Sequence, residues 1–158
     1  MMRGSSKLLT HYNYKIHTEL IEDLFKNDLH KLRKYPDSQS EIGGYVEKVW
    51  NLIEIIKKYY KRYKVTPTDT LVSKILLGVA GATPAYDTYF KDFLKSQGIS
   101  PKLNRKSLTI LWERYLNNDF FNRKTLRKYT EHPPMKIIDM AGFQYGNKLK
   151  NKEEEICQ

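Results

Sequence analysis

From Glu41 to Lys64, apolar side chains return every third or fourth residue: Val46, Val49, Trp50, Ile53, Ile56 and Tyr60 in EIGGYVEKVWNLIEIIKKYYKRYK. That period lines one face of an α-helix and suits no face of a strand, where the repeat is two. The same spacing recurs along the chain. In IHTELIEDLFKNDLHKLRKY, Ile16, Leu20, Leu24 and Leu32 fall near one face, with Ile21, Phe25 and Leu29 widening it. This helix should close at Tyr35-Pro36, because the residue before a proline is pushed out of the α region. Ser38 or Ser40 then caps the Glu41–Lys64 helix. Thr68 or Asp69 caps a third helix, Leu71–Ala80, whose Leu71, Val72, Ile75, Leu76, Leu77 and Val79 cover most of its circumference. A short helix that is apolar nearly all round predicts a buried central element. Thr83 or Asp87 caps a fourth helix, TYFKDFLKSQ, closed by Gly98. RKSLTILWERYLNN is a fifth, with Leu108, Leu111, Trp112 and Tyr115 inward, and DFFNRKTLRKYTEH a shorter sixth. Pro133-Pro134 end that helix and open a seventh, MKIIDMAGFQYG. No stretch alternates with period two. The expected fold is all-α: a single compact domain of about six or seven helices over 1–150, then a charged, frayed tail over 151–158.

The charge balance narrows the partners. Lys and Arg number 28 against 18 acids, a net charge of +10, while an apolar fraction of 40% and twelve tyrosines sustain a folded core. A folded chain this basic favours polyanions, because neutralising phosphates releases counterions. The lone cysteine, Cys157, permits no internal disulfide and fits a reducing cytoplasm. The four histidines and one cysteine are scattered without zinc-ligand spacing, so no metal and no cofactor is expected. No window approaches the roughly 18 consecutive apolar residues needed to span a bilayer, and the N-terminal residues lack the apolar core of a signal peptide. A membrane partner is not expected.

The cations are clustered. In IIKKYYKRYK, Lys57, Lys58, Lys61, Arg62 and Lys64 interleave with Tyr59, Tyr60 and Tyr63, giving a basic stripe at the end of the long helix. Phosphates suit such a stripe, and tyrosine rings can stack on exposed bases. The competing explanation is the helix dipole, which favours cations at a C-terminus; Tyr60 also continues the apolar face and reads as core. A second cluster is Arg123, Lys124, Arg127 and Lys128, and a third is Lys102, Arg105 and Lys106. If they share one side, they form a nucleic-acid footprint.

One segment, TLVSKILLGVAGATPAYDTYF, runs from an apolar helix through Gly78, Gly81 and Thr83-Pro84 to a lone carboxylate, Asp87. Asp87 is either the N-cap of the next helix or a carboxylate presented to a substrate, with Lys74, Tyr86 and Tyr89 beside it as a candidate pocket. The segment resembles the core of the helix-hairpin-helix DNA glycosylase superfamily. In that family a small, apolar, Gly-ending helix leads through a turn to a catalytic Asp followed by Thr, the positions of Asp87 and Thr88 here. The resemblance implies a helical DNA-binding scaffold, with Asp87 stabilising charge on a sugar or orienting a water once a base is flipped. MKIIDMAGFQYG, with Asp139 in its middle, looks like a closing helix of some relatives. The family's Gly-hydrophobe-Gly hairpin is replaced by YKVTPTDT, and the position of its Schiff-base Lys by about Thr70, with Lys74 one turn further on.

Arg127 and His132, in RKYTEH, resemble the Arg-x4-His pair of HEPN-class helical ribonucleases, where Arg steadies a phosphate and His handles a proton. Here Lys128 follows Arg127, and Pro133 ends the helix directly after His132. The leading expectation is a cytoplasmic nucleic-acid-binding protein, DNA before RNA, on a glycosylase-like scaffold. The alternatives are an enzyme acting through Asp87 or through Arg127 and His132, and a non-enzymatic protein-interaction module.

Overall fold

The computed structural model describes residues 15–27, 29–120 and 131–156. Among them are six α-helices and one 3-10 helix, with no strand. They are α1 (Ile16–Lys26), the 3-10 helix Leu29–Arg33, α2 (Gln39–Arg62), α3 (Asp69–Ala80), α4 (Thr88–Ser96), α5 (Arg105–Leu116) and α6 (Pro134–Ile156). The all-α reading holds. The sixth helix expected from DFFNRKTLRKYTEH falls largely on 121–130, outside the described residues.

The hub is α2. It packs against α1, the 3-10 helix, α3 and α5, and it buries Ile42, Tyr45, Val46, Val49, Leu52, Ile53, Ile56, Tyr59 and Tyr60. This differs from the expectation that Leu71–Ala80 would be the enclosed central helix. In α3, Val72, Ser73, Leu76 and Ala80 are buried, whereas Lys74 and Gly78 are exposed and Leu71, Ile75, Leu77 and Val79 are half-buried. The apolar circumference of α3 serves partly as the wall of a surface cleft. The first helix also ends sooner than its periodicity suggests. After Lys26 the chain tightens into the 3-10 turn, and the Asn27 side-chain amide donates to the Asp23 carbonyl, 2.7 Å, satisfying the frayed end.

A second layer is the α4–α6 pair, the most extensive helix contact in the fold. Gly142 and Gly146, one turn apart, explain how the two helices come so close. A Cβ on Gly142 would meet the Phe90 ring at 2.6 Å, and one on Gly146 would overlap the backbone of Tyr89. Tyr89 meets Phe143 edge-on at 4.9 Å, and Phe93 meets Tyr145 at 5.7 Å. The aromatics of GFQYG are therefore packing groups, although Phe143 and Tyr145 keep one edge in solvent. The helix continues to Ile156, past the boundary that the charged composition of the tail suggested. Trp112 is fully buried, stacked on Tyr35 and edge-on to Tyr45.

Candidate nucleic-acid interface

Helix ends place the candidate residues, and three of them share one design. At the end of α2, Val65 N–H donates to the Tyr60 carbonyl, 3.2 Å, and Lys64 N–H to the Lys61 carbonyl, 3.0 Å. This paired closure requires a left-handed residue between cap and exit, and Lys64 takes it, with φ 55°. At the end of α4, Ile99 donates to Leu94 and Gly98 to Lys95, with Gly98 at φ 68°. At the end of α5, Asp119 donates to Arg114 and Asn118 to Tyr115, with Asn118 at φ 60°. Glycine and asparagine are the residues that tolerate this conformation. Lysine at the first of these ends carries backbone strain of about 1 kcal/mol that the other two avoid.

Lys58, Lys61, Arg62 and Lys64 are all exposed. They point away from Ile53, Ile56 and Tyr60, and none forms an ion pair with a carboxylate among the described residues. The Arg62 guanidinium lies 5.8 Å from the Tyr59 ring centre. Lys57 is more engaged: its ammonium is 3.3 Å from Glu54 Oε1 and 4.9 Å from the centre of the Trp50 ring. Across the same ring stands Arg105 of α5, 4.7 Å from its centre. Arg105 Nε donates to Glu47 Oε1, 2.7 Å, and its terminal nitrogen to Glu47 Oε2, 3.2 Å. Trp50 thus joins the α2 stripe to the Lys102, Arg105 and Lys106 cluster, and Lys102 and Lys106 are exposed, with no ion pair among the described residues. The remaining cluster, Arg123, Lys124, Arg127 and Lys128, lies outside the described residues.

The tyrosines of the stripe are not a stacking row. Tyr59 and Tyr60 are buried, and the Tyr59 hydroxyl donates to the Ile16 carbonyl, 2.7 Å. The Tyr60 hydroxyl meets His17 Nδ1 at 2.7 Å. Burial raises the pKa of both phenols, Tyr60 to about 12. Tyr63 is half-buried, 3.3 Å from the Tyr59 hydroxyl. Sequence spacing assigned Trp50 to the core; it is half-buried, and the Arg105 against its ring comes from α5, which no local pattern reveals.

The segment leading to Asp87 is a buried loop. Residues 81–86 are all buried, so their backbone groups need internal partners. Side chains supply them. Thr70 Oγ1 donates to the Tyr86 carbonyl, 2.7 Å; Thr83 Oγ1 to the Ser73 carbonyl, 3.0 Å; and Tyr86 N–H to Ser73 Oγ, 2.9 Å. Ala85 N–H donates to Asp139 Oδ1 across to α6, 2.8 Å. Asp87 Oδ1 then accepts from Phe90 N–H, 3.1 Å, which makes it the N-cap of α4. Its other oxygen faces Lys74 Nζ at 3.8 Å.

Of the residues expected around Asp87, Lys74 lies beside it, while Tyr86 and Tyr89 are engaged in packing. Tyr86 is fully buried, its hydroxyl 2.9 Å from Ser107 Oγ. Tyr89 is half-buried against Phe143, and Lys74 sits on the exposed edge of α3. Among the described residues, one cleft of about 340 Å3 lies between Gly78 and Pro133 and another of about 360 Å3 between Phe93 and Tyr145; Asp87 lines neither. Asp139 reads from the sequence as a mid-helix residue. Its side chain is largely buried, with its pKa raised by burial against the opposing pull of the Ala85 amide and of Lys136, 3.4 Å away. His132 is exposed just before α6. No group of His, Cys, Asp and Glu suited to a metal occurs among the described residues, and no described helix is long and apolar enough to cross a membrane.

No known protein-family model, curated protein or solved structure matches this chain.

Proposed function

We propose that the chain binds nucleic acid in the cytoplasm, through the outward face of α2 and the N-terminal end of α5. The observation that carries this reading is the meeting of Lys57 and Arg105 over Trp50, which gathers two separate basic clusters onto one surface. Two further features support it, because fold stability does not account for them. Lys64 holds a strained left-handed position that glycine or asparagine fills elsewhere in the molecule. Lys106 stands in the first turn of α5, where the helix dipole disfavours cations. Cations at the C-terminal end of α2 have the dipole in their favour; Lys106 does not.

DNA is the preferred polymer, on the likeness of Thr70–Phe90 to the helix-hairpin-helix glycosylases. The proposal is for binding alone. Capping and the Lys74 pair account for Asp87 without a substrate, and the buried loop behind it reads as a structural joint.

The test is a salt titration of binding to labelled DNA. Affinity should fall log-linearly with salt, with a slope near −0.7 per phosphate held on a single strand and −0.9 on a duplex. Charge reversal by Lys58→Glu with Lys61→Glu should abolish binding, while Lys95→Glu, on the far α4 helix, should not. Absence of binding near 50 mM salt, a condition that favours phosphate contacts, would overturn the proposal and favour a protein-interaction role.

A further inference from the structure

Resting on that reading, the geometry points to a single strand, not a duplex, as the form of nucleic acid this surface takes, with Trp50 as the platform for one unpaired base. Trp50 is half-buried: its inner edge packs on the core and its outer part lies at the surface between Lys57 and Arg105. An indole framed by cations offers a base a stacking partner while the phosphates on either side find charge. The base must be unpaired, since a base inside a duplex has both faces occupied by its neighbours.

Access to the ring is gated by weak contacts. Lys57 and Arg105 are held there by Glu54 and Glu47, and all four side chains are substantially solvent-exposed. The Lys57–Glu54 pair is a single exposed contact of the kind worth little, so an incoming phosphodiester can exchange for Glu54 and draw Lys57 off the ring. Glu54 acts as a placeholder there, while the two-point Arg105–Glu47 pair keeps Arg105 beside the ring. Beyond the ring, Lys57 and Lys61 stand four residues apart on α2, and Lys64 lies two residues past its end. A helix rises about 6 Å in four residues, a step comparable to that between successive phosphates of an extended strand. One strand laid along α2 from Trp50 towards Lys64 meets a cation at each step. The other tryptophan, Trp112, is fully buried, so its emission is a constant background against which Trp50 reports.

The experiment titrates the full chain with oligo-dT and with a blunt duplex at low salt, reading intrinsic tryptophan fluorescence and, in parallel, anisotropy of the labelled DNA. Oligo-dT should quench the emission at saturation, and the duplex should not. Trp50→Leu, which keeps apolar packing but cannot stack, should weaken oligo-dT binding about five- to a hundredfold and leave duplex binding within about twofold. Trp50→Phe should recover most of the loss. Unquenched emission with oligo-dT bound, an equal loss on both DNA forms, or no recovery with Trp50→Phe would each overturn the stacking platform. If the parent chain still binds DNA with a steep salt dependence in those cases, the nucleic-acid reading stands without it. If the parent binds neither DNA form, both fall together.

Discussion

Replacing Lys64 by glycine should move stability and nucleic-acid affinity in opposite directions. Lys64 lies at φ 55° in the closing motif of α2, a conformation that costs a non-glycine residue about 1–2 kcal/mol. Glycine removes that strain. It also enlarges the freedom of the unfolded chain, which gives back about 0.4–1 kcal/mol. The net gain should be about 0.5–1 kcal/mol, or about 1–4 °C in Tm for a chain of this size. The backbone bonds Val65 to Tyr60 and Lys64 to Lys61 survive the change, so the urea m-value should stay constant while the midpoint rises. In binding, one phosphate contact disappears and the salt slope should shrink by about 0.7–0.9. Lys64→Ala separates the effects: it removes the charge, keeps the strain and should weaken binding without stabilising. A fall in stability for Lys64→Gly would refute the strain assignment. An unchanged salt slope for both variants would refute the phosphate contact.

Other perturbations address the joint between the layers. Gly146→Ala places a methyl group on the Tyr89 backbone, which cannot rotate aside as a side chain can. It should destabilise by about 1–3 kcal/mol, the usual range for overpacking, seen as a lower urea midpoint. Asp87→Ala removes the α4 cap and should cost about 1 kcal/mol, whereas Asp87→Asn, a comparable cap, should be nearly neutral; a large loss with Asn would instead give weight to the Lys74 pair. Asp139 has a folded pKa raised chiefly by burial, so its contribution to stability is fully present below the unfolded pKa and is lost as pH rises through the folded value. The stability of the parent relative to Asp139→Asn should therefore decline as pH rises across the acidic range. A relative stability that is flat with pH, or that rises with it, would contradict the assignment.

Much of the helical plan was legible because it is local. Apolar spacing marked α2, α4 and α5; Thr68, Asp87 and Gly98 marked ends where the chain does turn. What escaped depends on partners distant in sequence. Tyr86 reads as a pocket residue beside Asp87, yet Ser107 draws its hydroxyl into the core. Asp139 looks like an ordinary mid-helix acid until Ala85, 54 residues earlier, donates to it. Trp50 satisfies the apolar period as well as Ile53 does, yet it is only half-buried, with Lys57 and Arg105 against its ring. Hydrophobicity likewise overstated the enclosure of α3: Lys74 marks an outward edge, and Gly78, one turn on, shares that exposed side.

The bare backbone at Gly142 and Gly146 gives a rule for recognising kin of this protein. Charged and aromatic surface positions can drift through evolution, but these two sites admit no side chain while α4 and α6 keep their present separation. A divergent sequence that retains glycine at both, one helical turn apart, and an acid three residues before the first has kept this joint; one that carries a side chain there has moved its last helix.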